Sequence, residues 1–182
     1  MEQVNKPIIE LVTKPNTPNP LIPQTMKDVA EIFGKIEYRR VASSTSGAIS
    51  ITNGFGIQNL VVVELPIVGR KCIHRLLVPN FTAALSAIEK GGKASSIHRL
   101  PNGRWSFGTQ AARLKRGGTT LSLHTWGIAV DINWPENPMG QIGHLDPFIV
   151  ERFKAEDFAW GGDWEHRDDM HFEYFKTRPR RA

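Results

Sequence analysis

The sequence predicts an α+β fold: a small antiparallel sheet flanked by helices. Three observations carry that expectation. Short apolar runs rich in β-branched residues, at 59–65 and 128–132, lie between turn signals. Stretches with helical spacing, among them Met26–Phe33 and 81–88, are interspersed with them. A regular strand–helix–strand rhythm and a glycine-rich phosphate loop are both missing, which disfavours a doubly wound parallel sheet.

The elements follow in order. Pro7, Pro15, Pro18, Pro20 and Pro23 forbid a regular helix in the first 23 residues and favour an extended arm over the domain surface. Thr25 is placed to cap a helix from Met26 to Phe33, with Met26, Val29, Ala30 and Phe33 on one face and Gly34 as its stop. Residues 39–57, rich in Ser, Thr and Gly, read as loop with weak strands. Residues 59–65 read as a buried strand. A turn at Val68 and Gly69 leads into a second strand over 72–78, with His74 half exposed. Asn80 is the expected cap of the next helix, whose Phe81, Ala84, Leu85 and Ile88 face the core before Gly91 and Gly92 end it. Pro101, Asn102 and Gly103 mark a turn, followed by a short strand over 104–107. Residues 128–132 form the next strand. Asp146 and Pro147 then open a helix that buries Phe148, Val150 and Phe153. Residues 170–175 alternate as a last strand, and the basic tail over 176–182 is expected to be solvated and mobile. No repeat or linker divides the chain. Residues 1–55 are therefore expected as an arm, short helix and loop packed on a domain of residues 56–182.

Composition narrows the function. With 182 residues, 40% hydrophobic and 23% charged, one globular unit is expected. The longest aliphatic run, 60–63, is far too short to span a membrane, so no membrane insertion is expected. The N-terminus lacks a basic start followed by an apolar stretch, so the expectation is synthesis in the cytoplasm without a secretory signal. A single cysteine, Cys72, excludes an internal disulfide and a cysteine-based metal site, and reads as a packing residue. The net charge of +5 favours acidic partners. No helix-turn-helix, zinc finger or aromatic-rich RNA motif is visible, which sets nucleic acid aside. From Lys90 to Trp134 the only acid is Asp131, against Lys90, Lys93, Arg99, Arg104, Arg113, Lys115 and Arg116. An isolated carboxylate in so basic a stretch suggests a specific role.

The strand at 128–132 places Ile128, Val130 and Ile132 on one face and Ala129 and Asp131 on the other. Gly127 lets the chain bend so that His124 returns toward Asp131. A carboxylate in so apolar a strand is costly unless paired or bound to a cation. An ion pair with a nearby arginine and a metal-ligand role both remain open for it. Further along, Asp168 precedes His171 by three residues. Two such histidine–carboxylate pairs in one small domain suit zinc. Of the other histidines, His98 and His144 read as surface residues, and His166 as surface or substrate contact. Trp126, Trp134, Trp160 and Trp164 are divided between cleft and core.

Ser122, His124, Gly127, Ala129 and Asp131, followed by Trp160-Gly-Gly-Asp and by Asp168, Met170, His171, Phe172 and Glu173, resemble the zinc D-Ala-D-Ala carboxypeptidase / L-alanyl-D-glutamate endopeptidase family. The likeness is to its single-domain cell-wall peptidases, which include phage endolysins, and covers roughly residues 60–176. It implies a D-Ala-D-Ala-carboxypeptidase/hedgehog-like fold, with His124, Asp131 and His171 as zinc ligands. Asp168 matches the acidic catalytic residue, with Asp169 beside it as the alternative. Arg113 matches the family's upstream arginine, with Arg116 as fallback, and Ser122 the motif serine that touches substrate or supports the site. The implied activity is hydrolysis of the peptidoglycan stem peptide, with L-alanyl-D-glutamate endopeptidase preferred. D-alanyl-D-alanine carboxypeptidase and a non-catalytic cell-wall-binding module are the alternatives. The expected protein is a monomer that acts on peptidoglycan stem peptides after release to the cell wall.

Overall fold

The computed structural model describes residues 22–42 and 44–176, so most of the proline-rich arm and the end of the basic tail lie outside the described residues. Helix α1, Met26–Phe33, starts where Thr25 and Asp28 cap each other. Asp28 N–H donates to Thr25 Oγ1 at 3.1 Å, and Thr25 N–H donates to Asp28 Oδ2 at 2.9 Å. The helix ends at Gly34, whose φ of 96° would strain any other residue. It buries Val29 and Phe33. Gly34 carbonyl accepts a 2.8 Å hydrogen bond from Trp126 Nε1, which ties the end of α1 to the later site-bearing turn.

Strands β1 (Tyr38–Arg40) and β2 (Ile49–Ile51) pair antiparallel, and the short helix α2 (Phe55–Asn59) leads into β3 (Leu60–Leu65). With β4 (Gly69–His74), β3 forms a two-stranded antiparallel hairpin running from Leu60↔His74 to Leu65↔Gly69. Two expectations are corrected here. The first of these strands is not buried: only Leu65 is covered, and Val62 is 59% exposed, because the strand has a single neighbour. His74, by contrast, is fully buried rather than half exposed. Its Nδ1 accepts from Leu76 N–H at 3.2 Å, and its Nε2 therefore donates to Phe33 carbonyl at 3.0 Å.

Helix α3, Val78–Lys90, buries Phe81, Ala84, Leu85 and Ile88. It begins before Asn80, with Pro79 in the first turn, where a missing N–H costs nothing. Asn80 is thus inside the helix and is not its cap; its Nδ2 donates to Glu156 carbonyl at 3.2 Å.

The remaining strands are β5 (Phe107–Gly108), β6 (Ala129–Ile132), β7 (Ala159–Trp160) and β8 (His171–Glu173), with α4 (Pro147–Ala155) between β6 and β7. The strand expected over 104–107 is shorter, with Trp105 in an isolated bridge to Arg99. Asp146 caps α4 as expected, its Oδ1 accepting from Phe148 N–H at 2.9 Å. The four strands form an antiparallel sheet in the order β5-β6-β8-β7. One face carries Val130 and Phe172 into the core. There they meet Phe153, whose ring lies 4.9 Å from that of Phe172, and Ile128 and Ile132. Full burial of each such side chain contributes roughly 1.5–3 kcal/mol. Val29, Phe33, Ile36 and Phe55 belong to the same apolar cluster. The architecture is α+β with small antiparallel sheets, in line with the sequence. No helix among the described residues is long and apolar enough to cross a membrane.

Candidate metal centre and cleft

The site is built on the other face of the four-stranded sheet. The register pairs Asp131 with His171, Val130 with Phe172 and Ala129 with Glu173. Directly opposed residues share a face with their Cβ atoms about 4.5–5.5 Å apart, so Asp131, His171, Ala129 and Glu173 stand together. Ala129 is small, and this leaves room for Glu173 to lean along its own strand toward His171.

His124 arrives from the 3₁₀ turn Leu123–Trp126, which reverses at Gly127 with φ 68°. A Cβ at Gly127 would sit 2.8 Å from the backbone nitrogen of His74, so no side chain fits there. His74 N–H in turn donates to Gly127 carbonyl at 3.0 Å. His124 Nδ1 donates to Thr109 carbonyl at 2.5 Å, and because a carbonyl can only accept, the proton is fixed on Nδ1 and Nε2 is turned toward Asp131.

The three side chains meet. His124 Nε2 lies 3.2 Å and His171 Nδ1 2.8 Å from Asp131 Oδ1. One donor atom from each lies within 4.8 Å of the others. Two donors about 2.0–2.1 Å from a tetrahedral zinc ion are about 3.3 Å apart, so the spacing and the two-nitrogen, one-oxygen donor set fit such an ion. The partners of Asp131 are these histidines and not an arginine. Burial alone would raise the Asp131 carboxyl, but hydrogen bonds and charge from His124 and His171 hold it well below the usual carboxylate range. Burial would lower His171, yet Asp131 and Glu173 outweigh it and raise the imidazole to about 10.

Asp168 and Asp169 have different surroundings: Asp168 lines the cleft and Asp169 does not. Asp168 Oδ1 is buried and has no hydrogen-bond partner among the described residues. Burial pushes its carboxyl above the ordinary value; the charge of Asp131 adds to this, while His171 and Arg116 oppose it. Asp169 is fully buried and committed to structure. It accepts from Arg167 Nε at 3.0 Å, from Arg167 Nη2 at 2.7 Å and from Gly143 N–H at 2.9 Å. Gly161 packs so closely on the backbone of Asp168 that any side chain there would collide with it, which is the local reason for the glycine after Trp160.

Two adjoining cavities, of about 380 and 450 Å³, flank Asp131. Thr109, Gln110 and Trp134 line only the first, and Lys115, Ser122, Trp164, His166 and Asp168 only the second. Arg113, Arg116, Met139 and Met170 border both. Arg113 Nη1 donates to Leu114 carbonyl at 3.2 Å, whereas the charge of Arg116 acts on Asp168. Ser122 N–H donates to Arg113 carbonyl at 3.0 Å, joining these two candidates through the backbone. His98 and His144 are exposed, and His166 is exposed at the cleft edge. Trp126 is core, while Trp160 packs on Phe172 and donates from Nε1 to Asp169 carbonyl at 2.8 Å.

Thr109 and Glu173 are site residues to which the sequence alone assigns no task. Thr109 acts through its carbonyl, which leaves no trace in residue type. Glu173 could have been found, since it lies two residues from His171 and therefore on the same strand face.

Residues 116–174 match the sequence profile of a family described as D-alanyl-D-alanine carboxypeptidase. The match covers about a third of the chain and contains every candidate residue except Arg113. It supports a peptidase, and the His124–Asp131–His171 cluster could hold a metal ion. No curated protein and no solved structure matches the chain.

Proposed function

We propose that the chain is a zinc metallopeptidase that cuts the peptidoglycan stem peptide as an L-alanyl-D-glutamate endopeptidase. The observation that carries this reading is the meeting of His124 Nε2, Asp131 Oδ1 and His171 Nδ1 in a basic cleft beside Asp168 Oδ1, which is buried and has no hydrogen-bond partner among the described residues. His124, Asp131 and His171 would hold the ion. When bound, zinc would supply Lewis acidity, which lowers the pKa of water toward about 7 and polarises a carbonyl.

The chain's own residues do the rest. Asp168 takes a proton from the attacking water and returns it to the leaving amine, a role suited to a carboxyl raised by burial. Arg113, or Arg116 in its place, faces the negative charge that develops on the carbonyl oxygen; losing one such donor typically costs ~100- to 1000-fold in rate. Ser122 supports this wall and touches substrate. Lys115 and the arginines suit the carboxylates of the stem peptide. The protein works as a monomer on the cell wall.

A second reading, removal of a terminal D-alanine, is favoured by the description of the matched family. Digestion of purified peptidoglycan with and without chelator, followed by labelling of new amino termini, separates the readings. New N-terminal D-glutamate is expected, and chelator should abolish it. Free alanine would select the carboxypeptidase, and a zinc-loaded protein that releases neither would leave only a binding module.

A further inference from the structure

The two histidines of the cluster are held in different ways. His124 is oriented by a neutral acceptor, the carbonyl of Thr109. His171 has a carboxylate on each side of its ring: Asp131 Oδ1 at 2.8 Å from Nδ1 and Glu173 Oε2 at 3.2 Å from Nε2. Glu173 is 3% exposed, a costly place for a carboxylate unless its charge has a task. Two features of the fold put it there. Residues two apart on β8 share a face, and the residue opposite Glu173 is the small Ala129.

We propose that Glu173 is the positioning residue for His171, accepting Nε2–H so that the lone pair of Nδ1 points at the ion. The inference rests on the reading of His124, Asp131 and His171 as a metal centre. An imidazole has one proton to place when neutral, and the partner of one nitrogen decides which nitrogen can bind a cation. A carboxylate in that place also makes the ring a stronger donor than a carbonyl does. The ring cannot easily settle elsewhere, since Trp164 lies 5.4 Å and His124 5.1 Å from it, centroid to centroid.

The test compares Glu173→Ala and Glu173→Gln with the wild type. Zinc affinity is read by competition with a chromophoric chelator, and the ring protons by ¹⁵N NMR of histidine in the zinc-loaded wild-type protein. Glu173→Ala should weaken zinc ~10- to 100-fold. Glu173→Gln, which keeps an acceptor oxygen, should recover most of that loss, and the spectrum should show His171 protonated at Nε2. A folded Glu173→Ala that binds zinc as tightly as the wild type would overturn the assignment. So would a wild-type spectrum with the proton on Nδ1, a readout that holds even if the alanine variant fails to fold. A wild-type protein that binds no zinc would overturn the metal centre itself, a different failure.

Discussion

The β3–β4 hairpin and the β6–β8 ladder invite comparison, because both are antiparallel pairs in which an acid faces a basic residue. In the hairpin Glu64 stands opposite Arg70 with both exposed, and Val62 is 59% exposed. In the ladder Asp131 stands opposite His171 on the rim of a cleft, and Val130 is fully buried. The strand sequences are alike in their β-branched content. Their surroundings differ: β6 lies between β5 and β8, while β3 pairs only with β4. Exposed pairs contribute about 0–1 kcal/mol at most, whereas a buried carboxylate must have partners or a cation. The same cross-strand arrangement is therefore surface decoration in one place and a candidate metal centre in the other.

The largest test of this contrast is Asp131→Ala against Glu64→Ala. The first should abolish both zinc binding and peptidoglycan release. The second should leave both intact and shift stability by no more than about 0.5 kcal/mol, read by thermal melting and metal analysis. Equal zinc content in the two variants would break the comparison. Next comes Asp168→Ala, expected to keep stoichiometric zinc while turnover falls ~100- to 10,000-fold. Loss of zinc from that variant would mean that a ligand had been taken for the base.

The smallest effect concerns His74, the buried polar residue through which the hairpin touches the site-bearing turn. Burial lowers its pKa below 6.5, helped by the charge of Arg75 and opposed by the hydrogen bond to Phe33 carbonyl. A histidine lowered in the folded state favours the neutral form. Its contribution is present above the unfolded value of about 6.5 and is lost as pH falls below that, toward the lower folded value. The melting temperature should therefore decline on acidification below pH 6.5, and His74→Gln should flatten that slope. Identical slopes in the two proteins would remove His74 as the cause.

Some of the fold was legible because the signals are local. Thr25 with Asp28, and Asp146 with Pro147, announce helix starts through groups only a few residues apart. The alternation at 128–132 separates core face from site face in the same way. Where the reading went wrong, a distant partner intervened. His74 looked half exposed until α1 closed over it, and Asn80 looked like a cap although the carbonyl of Glu156 claims its side chain.

Sequence by itself determined the chemistry on offer: two histidines and a lone carboxylate in apolar settings, a glycine at 127 where the chain can bend, and a single cysteine, too few for a cysteine-based site. Tertiary structure decided the register that brings Asp131 and His171, forty positions apart, to 2.8 Å. It also decided which of two adjacent aspartates looks into the cleft, and that Glu173 backs His171. The reason is physical: strand alternation is written along the chain, but which strands pair, and in what register, depends on how separate elements bury their apolar faces together.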